Sequence, residues 1–493
     1  MARPVAVIDM GSNSGRVVVY QLDSAGCLRV LAGTRAALRL VHDVDEKHRL
    51  DEDSMARVMV ALRDFVAIAR GAEAGRIAAV ATAAIREAEN GELFIERIRR
   101  ELDIDVEIID GEREAYLGCL GALRGLPVDN GLVFDLGGGS MQVTRVRQRQ
   151  VGRSTSLSIG ALRLSETFLG GDPPRRGDIR RLREHVADEL AGARLARLRR
   201  GERLVGTGGT LRNLAKIDQR ARDYPISRVH GYPLDAERLR AIARKLASLP
   251  LARRDSIPGL SADRADSIVG GALAIEVLCD TVGATEVLVS GEGVREGLAH
   301  DLFGVELPDV AGVRESSVAS LTGRFEGWTA ELAERRRSVA ASLLRGLERK
   351  PDPATAGALD LAARILDIGR SIDFFDRYAH AADIVLAADL DGYLHPELAM
   401  TAAVLRGARD RRLDLAPFAP LGVEREPVHR GGVLLALADD IVERCPGSGP
   451  IGVEVAVRGT VRVHVTGLAG WRPRTIATRF ERTFGKPLEV MPA

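Results

Sequence analysis

Residues 5–14 read VAVIDMGSNS, and residues 131–140 read GLVFDLGGGS, which repeats the same pattern further along the chain. In both copies an apolar run ends in Asp-x-Gly-x-x-Ser and leads into a second apolar run. Apolar, β-branched runs are typical of buried strands, and Gly, Ser and Asn are typical of tight turns. Either copy alone would fit an ordinary hairpin with a glycine-rich turn. Their repetition instead predicts two homologous α/β lobes that face each other.

The chemistry of these two turns favours phosphate as a ligand. Glycines let successive backbone N–H groups converge on an anion, and serine hydroxyls add further donors. The aspartate that opens each turn, Asp9 or Asp135, stands at the end of a predicted strand, where its carboxylate is well placed to hold Mg²⁺. We therefore expect the two turns to bind adjacent phosphates from opposite sides.

Composition limits the class of protein and the kinds of ligand. The 493 residues suggest about three domains. Because 70 basic side chains face 69 acidic ones, no net field attracts nucleic acid or a membrane surface. The four cysteines have no paired spacing, which argues against a disulfide scaffold or a zinc ribbon. No apolar run is long enough to span a membrane, and a strand pattern begins at once. We expect a cytoplasmic protein without nucleic-acid or membrane partners.

Two further segments carry side chains suited to phosphate chemistry. Arg86 lies where a predicted strand passes into a helix, and its guanidinium would bind a phosphate through two hydrogen bonds. A surface ion pair with Glu87 or Glu89 is the alternative. Glu112 and Glu114 begin the next predicted helix. Either carboxylate would activate a water molecule in a cleft, although acidic residues in a first turn also stabilise the helix dipole.

Three further features follow along the chain: a glycine-rich loop, a long helical region and a mixed C-terminal segment. Residues 206–210, GTGGT, lie between a predicted strand and a predicted helix, where the backbone can approach a base, a ribose or a further phosphate. A purely structural turn is the alternative there. A polar linker follows Pro308, and a helical pattern extends over about 315–415. The last segment alternates helices with short strands.

Taken together, these segments resemble the exopolyphosphatase/guanosine pentaphosphate phosphatase (Ppx/GppA) family of the acetate kinase–Hsp70–actin superfamily. The resemblance covers about 1–305 most closely, the helical region less closely and the C-terminal segment least. The matching motifs occur in the family's order, at residues 8–14, 83–86, 110–115, 134–140, 158–163, 206–210, 264–266 with Gly270 and Gly271, and 293–298.

The resemblance implies an α/β fold of two duplicated actin-like (ribonuclease H-like) lobes with a cleft between them, followed by an all-α HD-like domain and a small α+β C-terminal unit. The implied boundaries are 1–124 and 125–307 for the lobes, 308–418 for the helical domain and 419–493 for the C-terminal unit. The adjacent His-Asp pair that holds a metal in true HD hydrolases is absent, because Leu precedes Asp at 366–367. We therefore expect that domain to shape the substrate channel or a dimer interface.

The resemblance also assigns roles to individual residues. It implies that Glu114, rather than Glu112, is the catalytic base, and that Mg²⁺ lies near Asp9, Asp135 and Gln142. Family members usually have Glu where this chain has Gln142, so we expect weaker metal affinity or altered activity, with loss of hydrolysis as one outcome. The implied phosphate-binding residues are Asp9, Gly11, Ser12, Asn13, Ser14, Arg86, Gly137, Gly138, Gly139 and Ser140. The implied nucleotide or distal-phosphate loop consists of Gly206, Thr207, Gly208, Gly209 and Thr210.

The resulting hypothesis is Mg²⁺-dependent release of terminal phosphate from inorganic polyphosphate, guanosine pentaphosphate or both, by a homodimer. Arginine-rich runs at 145–149 and 335–337 would guide a polyphosphate chain, unless they are ordinary solvated faces. A catalytically weak polyphosphate- or nucleotide-binding regulatory protein is the alternative that Gln142 suggests. A kinase or ATPase of the same superfamily fits less well, because Glu114 keeps its Glu-Ala context.

Overall fold

The computed structural model describes residues 3–40, 48–409 and 413–493. The chain forms two compact units. The first comprises Met1–Arg222 and Arg228–Ser316, and the second comprises Asp223–Ser227 and Ser317–Ala493. No helix in the three described ranges is long and apolar enough to cross a membrane.

The first lobe is built on a five-stranded sheet in the order β3-β2-β1-β4-β5. Because β1 pairs in parallel with β4 and antiparallel with β2, the turn after β1 and the end of β4 lie at the same edge of the sheet. The strands are β1 (Val5–Met10), β2 (Ser14–Leu22), β3 (Leu28–Ala37), β4 (Arg76–Ala81) and β5 (Val106–Ile108). The helices are α1 (Glu52–Gly71), α2 (Ala83–Glu87), α3 (Gly91–Leu102) and α4 (Gly111–Gly125).

The second lobe repeats this plan on a six-stranded sheet in the order β10-β11-β9-β6-β7-β8. Its strands are β6 (Gly131–Leu136), β7 (Met141–Arg147), β8 (Gln150–Leu157), β9 (Arg203–Thr207), β10 (Tyr232–Asp235) and β11 (Glu286–Val289). Its helices are α5 (Ala161–Phe168), α6 (Arg176–Gly192), α7 (Gly209–Ala221), α8 (Ala236–Ala247), α9 (Leu251–Arg254), a 3₁₀ turn (Ala262–Arg264), α10 (Ile268–Val282) and α11 (Val294–Leu302).

The turns of the two lobes have the same internal hydrogen bond. In the first turn the backbone N–H of Gly11 donates to the carbonyl of Ser14 at 3.2 Å, and in the second Gly137 donates to Ser140 at 2.9 Å. Each turn joins two antiparallel strands, and the first strand of each pair is buried almost throughout. The predicted repeat is therefore a repeat of structure as well as of sequence.

Helices α4 and α11 cross at a distance that only glycine permits. A Cβ atom on Gly297 would lie 1.9 Å from the carbonyl oxygen of Leu117, and one on Gly121 would lie 2.2 Å from the carbonyl oxygen of Gly293. No side chain fits into such gaps. This crossing fixes the N-terminal turns of both helices beside the end of β1 and the end of β6.

In the described part of the second unit, one hydrophobic cluster draws side chains from both the helical region and the C-terminal segment. Helix α17 (Arg425–Arg444) is buried on most of its surface. It packs against α13 (Ala330–Leu347), α14 (Pro353–Ile365) and α16 (His395–Arg409), so the C-terminal segment shares apolar contacts with the helical region. The elements that follow the second lobe are α12 (Val310–Thr322), α13 (Ala330–Leu347), α14 (Pro353–Ile365), a 3₁₀ turn (Leu366–Ser371), α15 (Arg377–Ala387), α16 (His395–Arg409), a 3₁₀ turn (Ala416–Leu421), α17 (Arg425–Arg444), β12 (Val453–Val457), β13 (Val461–Val465), α18 (Arg474–Phe484) and β14 (Leu488–Pro492).

Candidate functional site

A polar cleft lies between the two lobes of the first unit, and both glycine-rich turns open into it. The turns approach each other closely, since a Cβ atom on Gly138 would lie 3.2 Å from the Cβ of Asn13. Predicted site residues that line the cleft are Asp9, Gly11, Ser12, Asn13, Ser14, Glu114, Asp135, Gly137, Gly138, Gly139, Ser140, Thr207, Gly208 and Gly209. The structure thus brings three separate sequence motifs and one glutamate to a single place.

The second turn is fixed by the helix that follows it in space. The backbone N–H of Ala161 donates to the carbonyl of Gly137 at 2.9 Å, and that of Leu162 donates to the carbonyl of Gly138 at 3.0 Å. Gly160 permits this contact, because a Cβ there would lie 2.3 Å from the carbonyl oxygen of Gly138. Carbonyl oxygens that would repel an anion are in this way bound to α5.

Glu114 lies in the first turn of α4, and its side chain is held in the cleft. Its carboxylate accepts a hydrogen bond of 3.3 Å from Nη1 of Arg86, and the same nitrogen donates to the carbonyl of Ile109 at 2.7 Å. Burial and the nearby charge of Asp135 raise the pKa of Glu114 to about 8, although Arg86 opposes this shift. A carboxyl group whose pKa lies near neutral pH is suited to accept a proton from water.

Asp9 and Asp135 lie at the ends of equivalent strands and are both half-buried in the cleft. Burial raises the pKa of each carboxyl above its usual value, and the charge of Asp135 raises that of Asp9 further. Nη1 of Arg295 lies 3.6 Å from the Asp9 carboxylate, and the hydroxyl of Thr207 bonds to Asp135. The two carboxylates therefore repel each other, and a cation bound beside both of them would relieve this repulsion.

Four arginines that were not assigned to the site also line the cleft: Arg16, Arg212, Arg264 and Arg295. Burial and the neighbouring guanidiniums, those of Arg295 and Arg212 first, lower the pKa of Arg16 to about 10. The Nε atoms of Arg264 and Arg295 are buried and have no hydrogen-bond partner among the described residues. Such a group of cations is suited to a polyanion. Arg264 and Arg295 lie in the motifs 264–266 and 293–298, but because the chain contains so many arginines nothing in the sequence indicated that these two belong to the site.

Arg295 is held in position by a short network within the first unit. The hydroxyl of Tyr20 donates to Oε1 of Glu296 at 2.5 Å, and the backbone N–H of Gly293 donates to Oε2 at 2.8 Å. Nη2 of Arg295 lies 3.7 Å from the same carboxylate. Although burial disfavours the charged guanidinium, Glu296 and Asp9 raise the pKa of Arg295 above its usual value. Arg295 therefore remains a cation in the cleft.

Four predicted site residues do not line the cleft: Arg86, Gln142, Gly206 and Thr210. Arg86 contacts Glu114 instead, so it acts on the cleft through that carboxylate. Gln142 is 2% exposed, and its Nε2 donates to the hydroxyls of Ser140 at 2.8 Å and Ser156 at 3.3 Å. Gly206 and Thr210 lie on either side of the loop residues that reach the cavity.

Most arginines of the runs 145–149 and 335–337 contact other parts of the protein and do not form the predicted path for a polyphosphate chain. Arg149 is buried and donates to backbone carbonyls, among them that of Leu123, while Arg145 pairs with Glu202. Arg147 is exposed. In the second unit, Arg335 donates to the carbonyl of Cys445. Arg336 is buried and pairs with Asp367 and Asp439. Arg337 pairs with Glu334 and Asp360. Five of these six arginines form structural contacts, and most of these contacts join the arginine to a residue far along the chain, which the sequence could not show.

Comparison with known proteins relates this site to a family. Exopolyphosphatase 1 of Mycobacterium tuberculosis is 30% identical over 338 residues, which cover 68% of this chain and 98% of that protein. Exopolyphosphatase 2 of the same organism is 29% identical over 318 residues, which cover 61% and 98%.

Solved structures give the same relation. The crystal structure of the Aquifex aeolicus member of the Ppx/GppA family has a TM-score of 0.55 at 29% identity and covers 62% of this chain and 99% of its own. That of an exopolyphosphatase from Cytophaga hutchinsonii has a TM-score of 0.57 at 26% identity and covers 62% and 99%. The predicted fold of two actin-like lobes is thereby confirmed. Because residues 18–305 match the family model described as the Ppx/GppA phosphatase family, this chain belongs to that family.

Proposed function

We propose that this chain hydrolyses inorganic polyphosphate from its end, releasing one phosphate in each turn of the reaction. The observation that carries the proposal is Glu114, a buried carboxyl group with a pKa of about 8 in a cleft lined by two glycine-rich turns. Relatives named exopolyphosphatase support the same substrate class. Guanosine pentaphosphate, which also ends in a phosphoanhydride, is the second substrate to be tested.

The charges of the cleft support a polyanionic substrate. The four arginines that line it exceed in number its three acidic residues, Asp9, Glu114 and Asp135. The buried Nε atoms of Arg264 and Arg295 have no hydrogen-bond partner among the described residues. The first turn and the second turn would each receive one phosphate through backbone N–H groups and serine hydroxyls. A substrate with several linked phosphates satisfies these donors, whereas a single phosphate would leave part of them unused.

The residues of the cleft fit Mg²⁺ as part of this proposal. The described ranges contain no group of three or more His, Cys, Asp or Glu side chains close enough to hold a metal ion. Mg²⁺ however binds through one or two carboxylates and completes its shell with water and substrate phosphates. Asp9 and Asp135, whose pKa values are raised by burial, would be those carboxylates. When bound, the ion would neutralise charge on the transferred phosphoryl group.

In the proposed reaction the protein orients a water molecule and removes its proton. Glu114, when ionised, accepts the proton as the water oxygen forms a bond to the terminal phosphorus. The bond between that phosphorus and the bridging oxygen breaks, and the shortened chain leaves with the electron pair on this oxygen. Arg295 and Arg264 would offset the negative charge that develops, because their guanidiniums are already held in the cleft.

The test is phosphate release from long-chain polyphosphate, guanosine pentaphosphate and ATP, each with and without Mg²⁺. Glu114→Gln should lower kcat on polyphosphate by about 10²- to 10⁴-fold while the variant still binds the chain. Glu112→Gln is the matched control, since Glu112 lies two residues away on the same helix but is exposed. Equal activity of both variants and the wild type would refute the role of Glu114.

A second candidate is a regulatory protein that binds polyphosphate or a nucleotide with little turnover. Gln142 favours it, because its amide takes the position of a charged side chain and donates to Ser140 of the second turn. Saturable binding of polyphosphate without phosphate release under any metal condition would select this candidate. Light scattering of the purified chain would test the predicted homodimer in the same preparation.

A further inference from the structure

The second unit contains a basic cavity that the proposed reaction does not use. It measures about 490 Å³ and lies between α17 and α18. Arg425, His429 and Val433 line it from one face of α17, and Arg479 and Arg482 line it from α18. Cavities of this size are typical of sites for small organic ligands.

The charges around this cavity are not balanced by acids. Arg425 and Arg482 are exposed and form no ion pair or hydrogen bond with any described residue. Glu426 is the acidic side chain of the lining, and its carboxylate accepts from Arg430 at 3.4 Å. The guanidiniums therefore give the cavity a surplus of positive charge that a bound anion would neutralise.

The cavity is also shaped in advance. Arg479 donates to the carbonyls of Gly407 and Ala408 at the end of α16, which fixes its guanidinium at the wall. The guanidinium of Arg430 lies 5.0 Å from the ring centroid of Phe484, which joins α17 to α18. A preformed wall lowers the entropy that a ligand loses on binding.

His429 adds an unsatisfied polar group inside the cavity wall. Its Nε2 is buried and has no hydrogen-bond partner among the described residues. Burial, together with the charges of Arg425 and Arg479, lowers the pKa of His429, so the ring is neutral at physiological pH and can donate or accept one hydrogen bond. Val433 is the apolar side chain of the lining, and arginine side chains in general carry apolar methylene groups as well as their charge.

We propose that this cavity between α17 and α18 binds a small phosphorylated organic molecule of nucleotide size. The guanidiniums of Arg425 and Arg482 bind its phosphate, because their forked donors match phosphate oxygens. The apolar part of the lining and His429 receive its organic part. This site is separate from the cleft of the first unit and does not depend on hydrolysis there.

Hydrogen exchange of the full chain with AMP tests the proposal and locates the ligand. AMP carries a phosphate and a planar ring but no phosphoanhydride, so the proposed activity does not consume it. At about 5 mM AMP, backbone exchange in residues 425–433 and 479–483 should slow. Arg425→Glu with Arg482→Glu should raise the Kd for AMP at this site by about tenfold or more, because two guanidiniums that bind the phosphate are replaced by carboxylates that repel it.

The control is Arg458→Glu with Arg472→Glu, which makes the same change of charge at two exposed arginines of the same unit outside the cavity lining. This variant should keep the protection by AMP, and both variants should keep the wild-type circular dichroism spectrum. Inorganic phosphate at the same concentration should protect the two segments less than AMP does. Absence of protection by AMP, protection that survives the first double variant, or equal protection by inorganic phosphate would overturn the proposal.

Discussion

Nη1 of Arg86 donates two hydrogen bonds, one of 3.3 Å to the carboxylate of Glu114 and one of 2.7 Å to the carbonyl of Ile109. This contact joins two residues that the sequence suggested separately, one for phosphate binding and one for catalysis. Because the guanidinium opposes the rise in the pKa of Glu114, it sets the pH at which this carboxylate becomes a base. In the proposed reaction Arg86 would therefore be a positioning residue for Glu114.

The first prediction concerns pH. Only the ionised form of Glu114 accepts a proton, so kcat/KM on polyphosphate should rise with pH and level off above about 8. Arg86→Met removes the charge that lowers the pKa of Glu114, which should move this rising limb to higher pH by roughly one unit. Arg76→Met, at an exposed position of the same lobe, should leave the limb in place. A limb that stays or moves to lower pH in Arg86→Met would contradict the assignment.

The second prediction concerns Gln142, which lies directly opposite Asp135 in the β6–β7 pair. Gln142→Glu would place another carboxylate beside Asp135 and should tighten binding of Mg²⁺ by about tenfold, as measured by calorimetry with the metal alone. The metal-free variant should unfold at a lower temperature, because a buried carboxylate at position 142 and the half-buried one of Asp135 would then repel each other. Gln150→Glu is the control, since Gln150 is exposed on the neighbouring strand. Unchanged metal affinity would show that the substitution in this chain is incidental.

The third prediction concerns the crossing of α4 and α11. In Gly297→Ala the new methyl group would meet the carbonyl oxygen of Leu117, so the helices must separate. We expect the free energy of unfolding to fall by about 1–3 kcal/mol, as measured by urea denaturation, and activity to fall as well because Glu114 and Arg295 begin these helices. Gly71→Ala, at the end of α1 with no neighbouring atom within 4 Å, should be neutral or slightly stabilising. Equal stability of the two variants would contradict the crossing.

Much of the fold followed from local sequence patterns. The repeated Asp-x-Gly-x-x-Ser turns predicted two related lobes because a strand, a tight turn and a strand are encoded within about ten residues. The shared core of the second unit was not foreseen, since α17 has to meet α13, which begins at Ala330 and is remote in sequence. Such packing depends on which apolar helix faces meet after folding, and this cannot be predicted from a local sequence pattern.

For the site as well, the residues within short motifs could be predicted from the sequence, whereas contacts between distant segments could not. The two turns and Glu114 stood within recognisable segments, and the structure places them along one cleft. The four arginines of the cleft come from separate segments of the sequence, and only folding brings them to the same cavity. They are Arg16, Arg212, Arg264 and Arg295. Conversely, the run 335–337 suggested a path for polyphosphate, but Asp439, which pairs with Arg336, lies 103 residues further along the chain.

The last prediction concerns this buried ion pair. Arg336 donates from Nε to Asp439 at 2.7 Å and from Nη2 to Asp367 at 2.9 Å, and all three side chains are buried. Arg336→Met would remove the cation that both buried carboxylates share, leaving Asp439 with Arg377 and Asp367 with Arg370. The free energy of unfolding should therefore fall by about 3–5 kcal/mol in urea denaturation. Arg337→Met removes a partly exposed guanidinium and should cost about 1 kcal/mol or less.

The pH dependence of this loss gives a second, independent measurement. Burial disfavours the charged form of Asp439, but Arg336 and Arg377 outweigh it and lower the pKa of that carboxyl. In the wild type this contribution to stability is therefore present above the unfolded pKa and disappears as pH falls through the lower folded pKa. In Arg336→Met one of the two arginines that lower this pKa is lost, so the folded pKa of Asp439 rises above its wild-type value and the carboxyl group becomes neutral more easily. The difference in stability between Arg336→Met and the wild type should shrink as pH falls from 7 to about 4. A difference that stays constant over this range would mean that lost packing, rather than buried charge, causes the destabilisation.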